Sequence, residues 1–279
     1  MIRNYLTVED GRIFYTVVGN GEPIVLLHGN FNDHRIWSEQ IDALSRDHKL
    51  VLCDLRGYGL SSTPKASFSN VDDLKALVDA LKLHSLTLIG SSSGGGVAID
   101  FALTYPHLIR ALILVSPSVN GNRYPLSMTW QGIRNYINVR TKGHQAAIES
   151  FIANRFWQYF FPPLRKEEAR SNVLRNVRNE SNFCRFSPTL PVAIRPYAIR
   201  RLGEIRIPTL IVTSDREHPF NIRTAETLHA SLRLSTKTIM RDCGHLPFVE
   251  EPHEFNRRVL DFISTTDSGN REDSSVQRQ

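Results

Sequence analysis

Short runs of apolar, β-branched residues alternate along the chain with longer stretches in which apolar positions recur at helical spacing. The short runs predict strands near residues 13–18, 24–28, 50–54, 86–89, 111–116, 209–214 and 236–241. The longer stretches predict helices near 37–45, 71–83, 97–105, 222–232 and 254–263. Strand followed by helix, repeated, is the order of an α/β fold with a mostly parallel sheet flanked by helices. The rhythm breaks once. Residues 119–204 are far too long for an ordinary connection and read as an inserted module. The core is then 1–118 and 205–264, with 119–204 as the insertion. Residues 265–279 are polar, lack a hydrophobic anchor and are expected to form a disordered tail.

Composition narrows the class. Of the 279 residues, 41% are hydrophobic and 22% charged, the balance of a soluble globular protein. The N-terminus lacks the apolar core of a signal peptide, and no apolar run is long enough to span a bilayer. Cys53, Cys184 and Cys243 are odd in number and widely spaced, which argues against a disulfide framework or a zinc site. A cytoplasmic location with no membrane partner is the expectation. The net charge of +6 is local, because between Arg123 and Arg201 fourteen arginines and lysines face four glutamates, leaving the remainder net acidic. No nucleic-acid-binding motif accompanies that charge, so no nucleic-acid partner is expected. The same insertion is rich in aromatics, including Trp130, Phe151, Phe156, Trp157, Tyr159, Phe160 and Phe161. At helical spacing such rings are more often packing than ligand contacts.

The candidate chemistry begins at Gly90-Ser91-Ser92-Ser93-Gly94, a G-x-S-x-G frame between a predicted strand and a helix. A serine at so sharp a turn needs small neighbours two positions away on each side, and only Ser92 has glycine at both. Ser92 is the expected nucleophile, with Ser93 second. A plain Gly/Ser loop is the competing reading of the motif in isolation. A serine hydroxyl needs a base, and the base needs an acid to hold its tautomer. In the chain order of such an elbow the base is His245, in the loop after the last strand. The acid is Glu217 or Asp215, both in the loop after the preceding strand. Oxyanion donors are expected from the backbone N–H of Ser93 and of Asn30, in the loop after the strand at 24–28. His28 reads as structural.

These motifs together resemble the α/β-hydrolase superfamily over residues 11–264. They are LLHGN at 26–30, DLRGYGLSS at 54–62, GSSSGG at 90–95, IPTLIVTSDRE at 207–217 and CGHLPFVEEP at 243–252. The resemblance, to a serine esterase or lactonase-like member, implies a Ser-acid-His triad and a helical cap inserted after the sixth strand. In similar proteins the acid closes a G-x-x-D pattern. Glu217 falls on its last position, with Ser214 in place of the glycine, so Glu217 is preferred and Asp215 held in reserve.

Within that superfamily an aspartate at the elbow would imply haloalkane or epoxide substrates, whereas Ser92 implies acyl transfer to water. The expected activity is therefore hydrolysis of a carboxylic ester or lactone, bulky or macrocyclic forms included, with no metal or organic cofactor required. A C–C bond hydrolase, a cofactor-free peroxidase or a non-catalytic ligand receptor of the same fold are the alternatives. Oligomeric state is left open.

Overall fold

A computed structural model describes residues 3–276, with side chains through Thr266. Eight strands build one sheet: β1 (Asn4–Val8), β2 (Gly11–Val18), β3 (Glu22–Leu27), β4 (His48–Cys53), β5 (Leu86–Ser91), β6 (Ile109–Val115), β7 (Thr209–Ser214) and β8 (Ser235–Met240). Their order is β1-β2-β4-β3-β5-β6-β7-β8, antiparallel between β1 and β2 and between β2 and β4, and parallel from β4 onward. β1 lies outside the expected strands. As an edge strand with no fully buried residue, it carries no apolar run to announce it.

Helices α1 (Ser38–Leu44), α2 (Asn70–Ala80) and α3 (Ser93–Thr104) precede β6, and α7 (Pro219–Ser231), α8 (Pro247–Glu250) and α9 (Pro252–Val276) follow β7. Between β6 and β7 lie α4 (Leu126–Lys142), α5 (His144–Ala153) and α6 (Glu167–Val177), with one short 3₁₀ turn between α5 and α6 and three after α6. α3 starts four residues before its expected onset; Gly94, Gly95 and Gly96, poor helix formers, occupy its first turn and conceal it in the sequence. The backbone of α9 remains helical through 265–276, the greater part of the segment expected to be a disordered tail. Buried Phe255, Val259 and Ile263 anchor its first turns, and an established helix propagates through polar residues far more easily than it nucleates. Residues 277–279 of that segment lie outside the described residues.

Alternation along each strand divides the core between the two faces of the sheet. Val25, Leu27, Leu88, Leu112 and Leu114 pack with Leu74, Leu77, Phe101 and Leu228 from α2, α3 and α7. Ile24, Leu26, Ile89, Ile113 and Val115 pack with Trp37, Phe248, Phe255 and Val259, and this cluster continues into Phe151, Phe160, Phe161 and Phe183 of the insertion. Most of the insertion's rings are thus core, as their spacing predicts. Trp130 and Tyr124 are exceptions, 59% and 43% exposed. Cys53, Cys184 and Cys243 are all free. No helix among the described residues is long and apolar enough to cross a membrane.

The chain leaves β3 toward β4 on one side, then returns to place β5 on the other. This reversal opens a crevice at the carboxyl ends of β3 and β5, where open α/β sheets bind ligands.

Candidate active site

Ser92 joins β5 to α3 with φ +52° and ψ −118°, a conformation that L-residues avoid and that costs on the order of 1–3 kcal/mol. The surroundings hold it there. Its N–H donates to the Val115 carbonyl at 2.9 Å, and its own carbonyl accepts from Ser118 N–H at 2.9 Å and Gly96 N–H at 3.2 Å. A Cβ on Gly90 would lie 2.5 Å from the Gly94 carbonyl oxygen, and one on Gly94 would lie 2.4 Å from that of His28. Both flanking glycines are therefore required by close approach, as the motif predicts. Gly29 is held to the same standard from the opposite side, since its Cβ would meet the Ser92 Cβ at 2.8 Å.

The three serines separate by environment. Ser91 is fully buried. The Ser93 hydroxyl donates to Asn30 Oδ1 at 3.0 Å, and the same oxygen accepts from Tyr58 OH at 2.8 Å. Ser92 is half-buried at the crevice. The Asn30 side chain thus ties the loop after β3 to the start of α3. Among the described residues, the backbone N–H groups of Asn30 and Ser93 have no backbone acceptor, which leaves both available to an incoming oxygen. His28 braces this loop from beneath: Nδ1 donates to the Gly29 carbonyl at 2.8 Å while Nε2 accepts from Leu55 N–H at 3.0 Å. Complete burial lowers its pKa and keeps it neutral, despite the nearby Asp54.

His245 follows β8 and is buried. Its backbone N–H donates to the Tyr159 carbonyl at 2.8 Å, and its ring lies between Tyr159, edge-on at 5.8 Å, and Phe160 at 5.6 Å. Nδ1 sits 2.6 Å from Glu217 Oε2. The carboxylate only accepts, so Nδ1 carries the proton and Nε2 is left free to receive one. Glu217 Oε1 accepts from His218 N–H at 2.7 Å and from Asn221 Nδ2 at 2.9 Å. Burial pushes the Glu217 pKa up, but its pairing with His245 and these donors outweigh it, so the carboxyl stays below its ordinary value. Asp215, the reserve acid, is exposed and accepts from Cys243 N–H at 3.3 Å instead.

Glu217 and His245 are thus joined, as are Asn30 and Ser93. Ser92 and His245 both follow strands of the same parallel set, so they reach the same edge of the sheet. They are not hydrogen-bonded to each other in this conformation. Rotation about the serine's single side-chain torsion is the adjustment open to it, and catalytic hydrogen bonds commonly tighten only with substrate bound. Sequence reasoning missed Asn221, whose one signal is its place four residues after Glu217, across the start of α7.

Residues 22–252 match the profile of the alpha/beta hydrolase fold. The chain belongs to the alpha/beta hydrolase family. It is 29% identical over 281 residues to a Bacillus subtilis protein whose name, 2-succinyl-6-hydroxy-2,4-cyclohexadiene-1-carboxylate synthase, is itself provisional; the match covers 93% of this chain and 98% of that protein. A Klebsiella pneumoniae 2-hydroxy-6-oxononadienedioate/2-hydroxy-6-oxononatrienedioate hydrolase is 29% identical over 280 residues, covering 93% of this chain and 95% of its own. Among solved structures, a thermophilic esterase from Thermogutta terrifontis superposes with a TM-score of 0.80 at 23% identity, over 95% of this chain and 99% of the other.

In this alpha/beta hydrolase the loop that carries Asn30 is also fastened to the insertion. Asp33 is fully buried; its Oδ2 accepts from Asn182 Nδ2 at 2.8 Å and Asn179 Nδ2 at 3.3 Å, and its N–H donates to Asn176 Oδ1 at 2.9 Å. Arg35 adds a two-pronged contact from the surface. Burial opposes the charge, yet Arg35 and Asn182 hold the carboxyl far below the ordinary range. Asp33, His34 and Asp54 lie close enough together to raise the question of a metal. Their atoms are already committed, with Asp54 accepting from His34 N–H and Nδ1 at 2.7 Å each and from Leu60 N–H at 2.8 Å. The cluster is a fastening.

Proposed function

We propose that the chain is a serine hydrolase of carboxylic esters or lactones, with Ser92 as nucleophile, His245 as base and Glu217 as its orienting acid. The observation that carries this reading is the buried Glu217–His245 pair at 2.6 Å, on the same sheet edge as a serine held at φ +52°. Ser92 Oγ attacks the substrate carbonyl carbon and passes its proton to His245 Nε2. The carbonyl oxygen takes the negative charge and is met by the N–H groups of Asn30 and Ser93. Collapse expels the alcohol oxygen, which takes the proton from His245, and leaves an acyl group on Ser92. Water, deprotonated by His245, then attacks the acyl carbon, and collapse releases the acid as Ser92 Oγ leaves and takes the proton back from His245. Glu217 supplies charge throughout and keeps Nδ1 protonated.

The insertion acts as a cap over this site, since Tyr159 and Phe160 wall the imidazole and Phe31, beside Asn30, packs tilted against Phe151 at 4.6 Å. Those rings favour a substrate with an apolar acyl or aryl part. A second reading, C–C bond hydrolysis, is supported by the Klebsiella pneumoniae relative, because a 2-hydroxy-6-oxo dienedioate has no ester to cleave. Incubating the protein with panels of esters, lactones and vinylogous 1,5-diketones, and identifying products by mass spectrometry, separates the two. Ester or lactone turnover that disappears in Ser92→Ala supports the first reading. Turnover of the diketones alone transfers the assignment to the second.

A further inference from the structure

Helix α4 is amphipathic the wrong way round for a helix that only packs. Met128, Asn135, Asn138 and Val139 face inward and are buried. On the opposite side Leu126, Trp130, Ile133 and Ile137 are 88%, 59%, 43% and 44% exposed. Their spacing of four, three and four residues sets them in one line along the helix, roughly 16 Å long at about 1.5 Å per residue. Arg134 and Arg140 flank this line, Lys142 ends the helix, and Arg140 lies over the Tyr136 ring at 5.0 Å. Between Asp100 and Glu149 the sequence contains no acidic residue. An apolar stripe with a tryptophan, on a helix whose charged residues are all cations, matches a helix that lies in the headgroup region of a bilayer.

We propose that α4 docks the protein on an anionic lipid surface. Leu126, Trp130, Ile133 and Ile137 enter the acyl boundary while Arg134, Arg140 and Lys142 meet lipid phosphates. Charge selects this occupant over a second copy of the chain. Pairing two α4 stripes would bring the flanking cations of both copies together, with no carboxylate in the helix to neutralise them. An anionic bilayer answers both the apolar stripe and its border. The expectation of no membrane partner rested on the absence of a spanning segment, a criterion that a surface helix escapes. Docking also brings the surface near the catalytic crevice, because Tyr124, just before α4, lies tilted against Phe220, the neighbour of Asn221, at 4.9 Å.

The test is co-sedimentation of the full chain with vesicles of phosphatidylcholine alone and of equimolar phosphatidylcholine and phosphatidylglycerol. The protein is expected to pellet with the anionic vesicles and scarcely with the neutral ones. Its tryptophan emission is expected to shift to the blue, a signal specific to Trp130 because Trp37 and Trp157 are already buried. Ile133→Asp should lower partitioning about tenfold or more. Replacing Arg134, Arg140 and Lys142 together by alanine should lower it roughly a hundredfold, at about fivefold per cation. Thermal melts of the variants, at substituted positions on the helix surface, are expected to match the parent, which excludes unfolding as the cause. Failure of the parent to bind anionic vesicles overturns the proposal, as does binding unaltered by Ile133→Asp. A parent that is dimeric by light scattering, ignores vesicles and becomes monomeric in Ile133→Asp assigns the stripe to a second copy instead.

Discussion

Asp33 and Asn182 are 149 positions apart in the chain and 2.8 Å apart in space. Asn182 also takes the Gly59 N–H on its Oδ1 at 2.9 Å, so one buried amide joins the insertion to two loops of the core. Asn182→Ala removes a donor from a buried carboxylate and is expected to lower stability by about 1–3 kcal/mol. Asn182→Asp is expected to cost more at neutral pH, because it sets a second carboxylate against the first. Urea denaturation of both variants checks the order; equal stability of the two would remove the charge argument.

Ser92→Ala and His245→Ala are each expected to reduce ester turnover by several orders of magnitude. The double variant should lose little more, because members of a triad act as one unit. Steady-state kinetics on a chromogenic ester, with circular dichroism to verify folding, gives the comparison. Losses that multiply in the double variant would show two independent roles.

Glu217→Gln tests the acid against its neighbour. The amide cannot stabilise an imidazolium, and turnover is expected to fall on the order of a thousandfold, whereas Asp215→Asn should change little. A pH effect accompanies this. Because the folded-state pKa of Glu217 is depressed, the group contributes stability above the ordinary glutamate value of about 4.3, and that contribution is lost as pH falls through the folded-state value. Urea melts from pH 7 to pH 3 should therefore show a shallower acid loss in Glu217→Gln.

Asp100 reverses the sign. Burial in α3 raises its pKa to about 6, against the pull of Asn120 and the Ile194 N–H, so the fold favours the protonated acid. Stability from this group is present below the unfolded value of about 3.9 and is lost as pH rises through about 6, a swing on the order of 3 kcal/mol. Asp100→Asn is expected to flatten that slope. Below pH 4 the variant should be the less stable protein, since one amide nitrogen cannot accept the hydrogen bond a carboxyl oxygen did. Denaturation midpoints at half-unit steps from pH 3 to pH 7 measure both effects.

The strands, the elbow and the Glu217–His245 pair were legible in the sequence because each depends on short-range pattern. Glycines two residues either side of Ser92 are a local demand of one turn, and residues at the ends of parallel strands must share an edge. β1 was hidden since an edge strand needs no apolar run. The role of Asn221 depends on where α7 starts, and the Asp33 fastening joins residues that no local pattern relates. Whether Ser92 and His245 are hydrogen-bonded depends on side-chain conformation, which sequence does not encode. α4 was obscure for another reason: its apolar residues lie on two opposite faces, so the pattern does not say which one the core takes.

The fastening of Asp33 to Asn176, Asn179 and Asn182 makes the insertion a poor candidate for exchange. A chimaera carrying another family member's insertion on this core would inherit a buried carboxylate stripped of its amide donors beneath the loop that carries Asn30, unless the graft brought such donors to the same three places. Specificity in this protein is therefore better altered by changing rings within the existing scaffold than by replacing the scaffold wholesale.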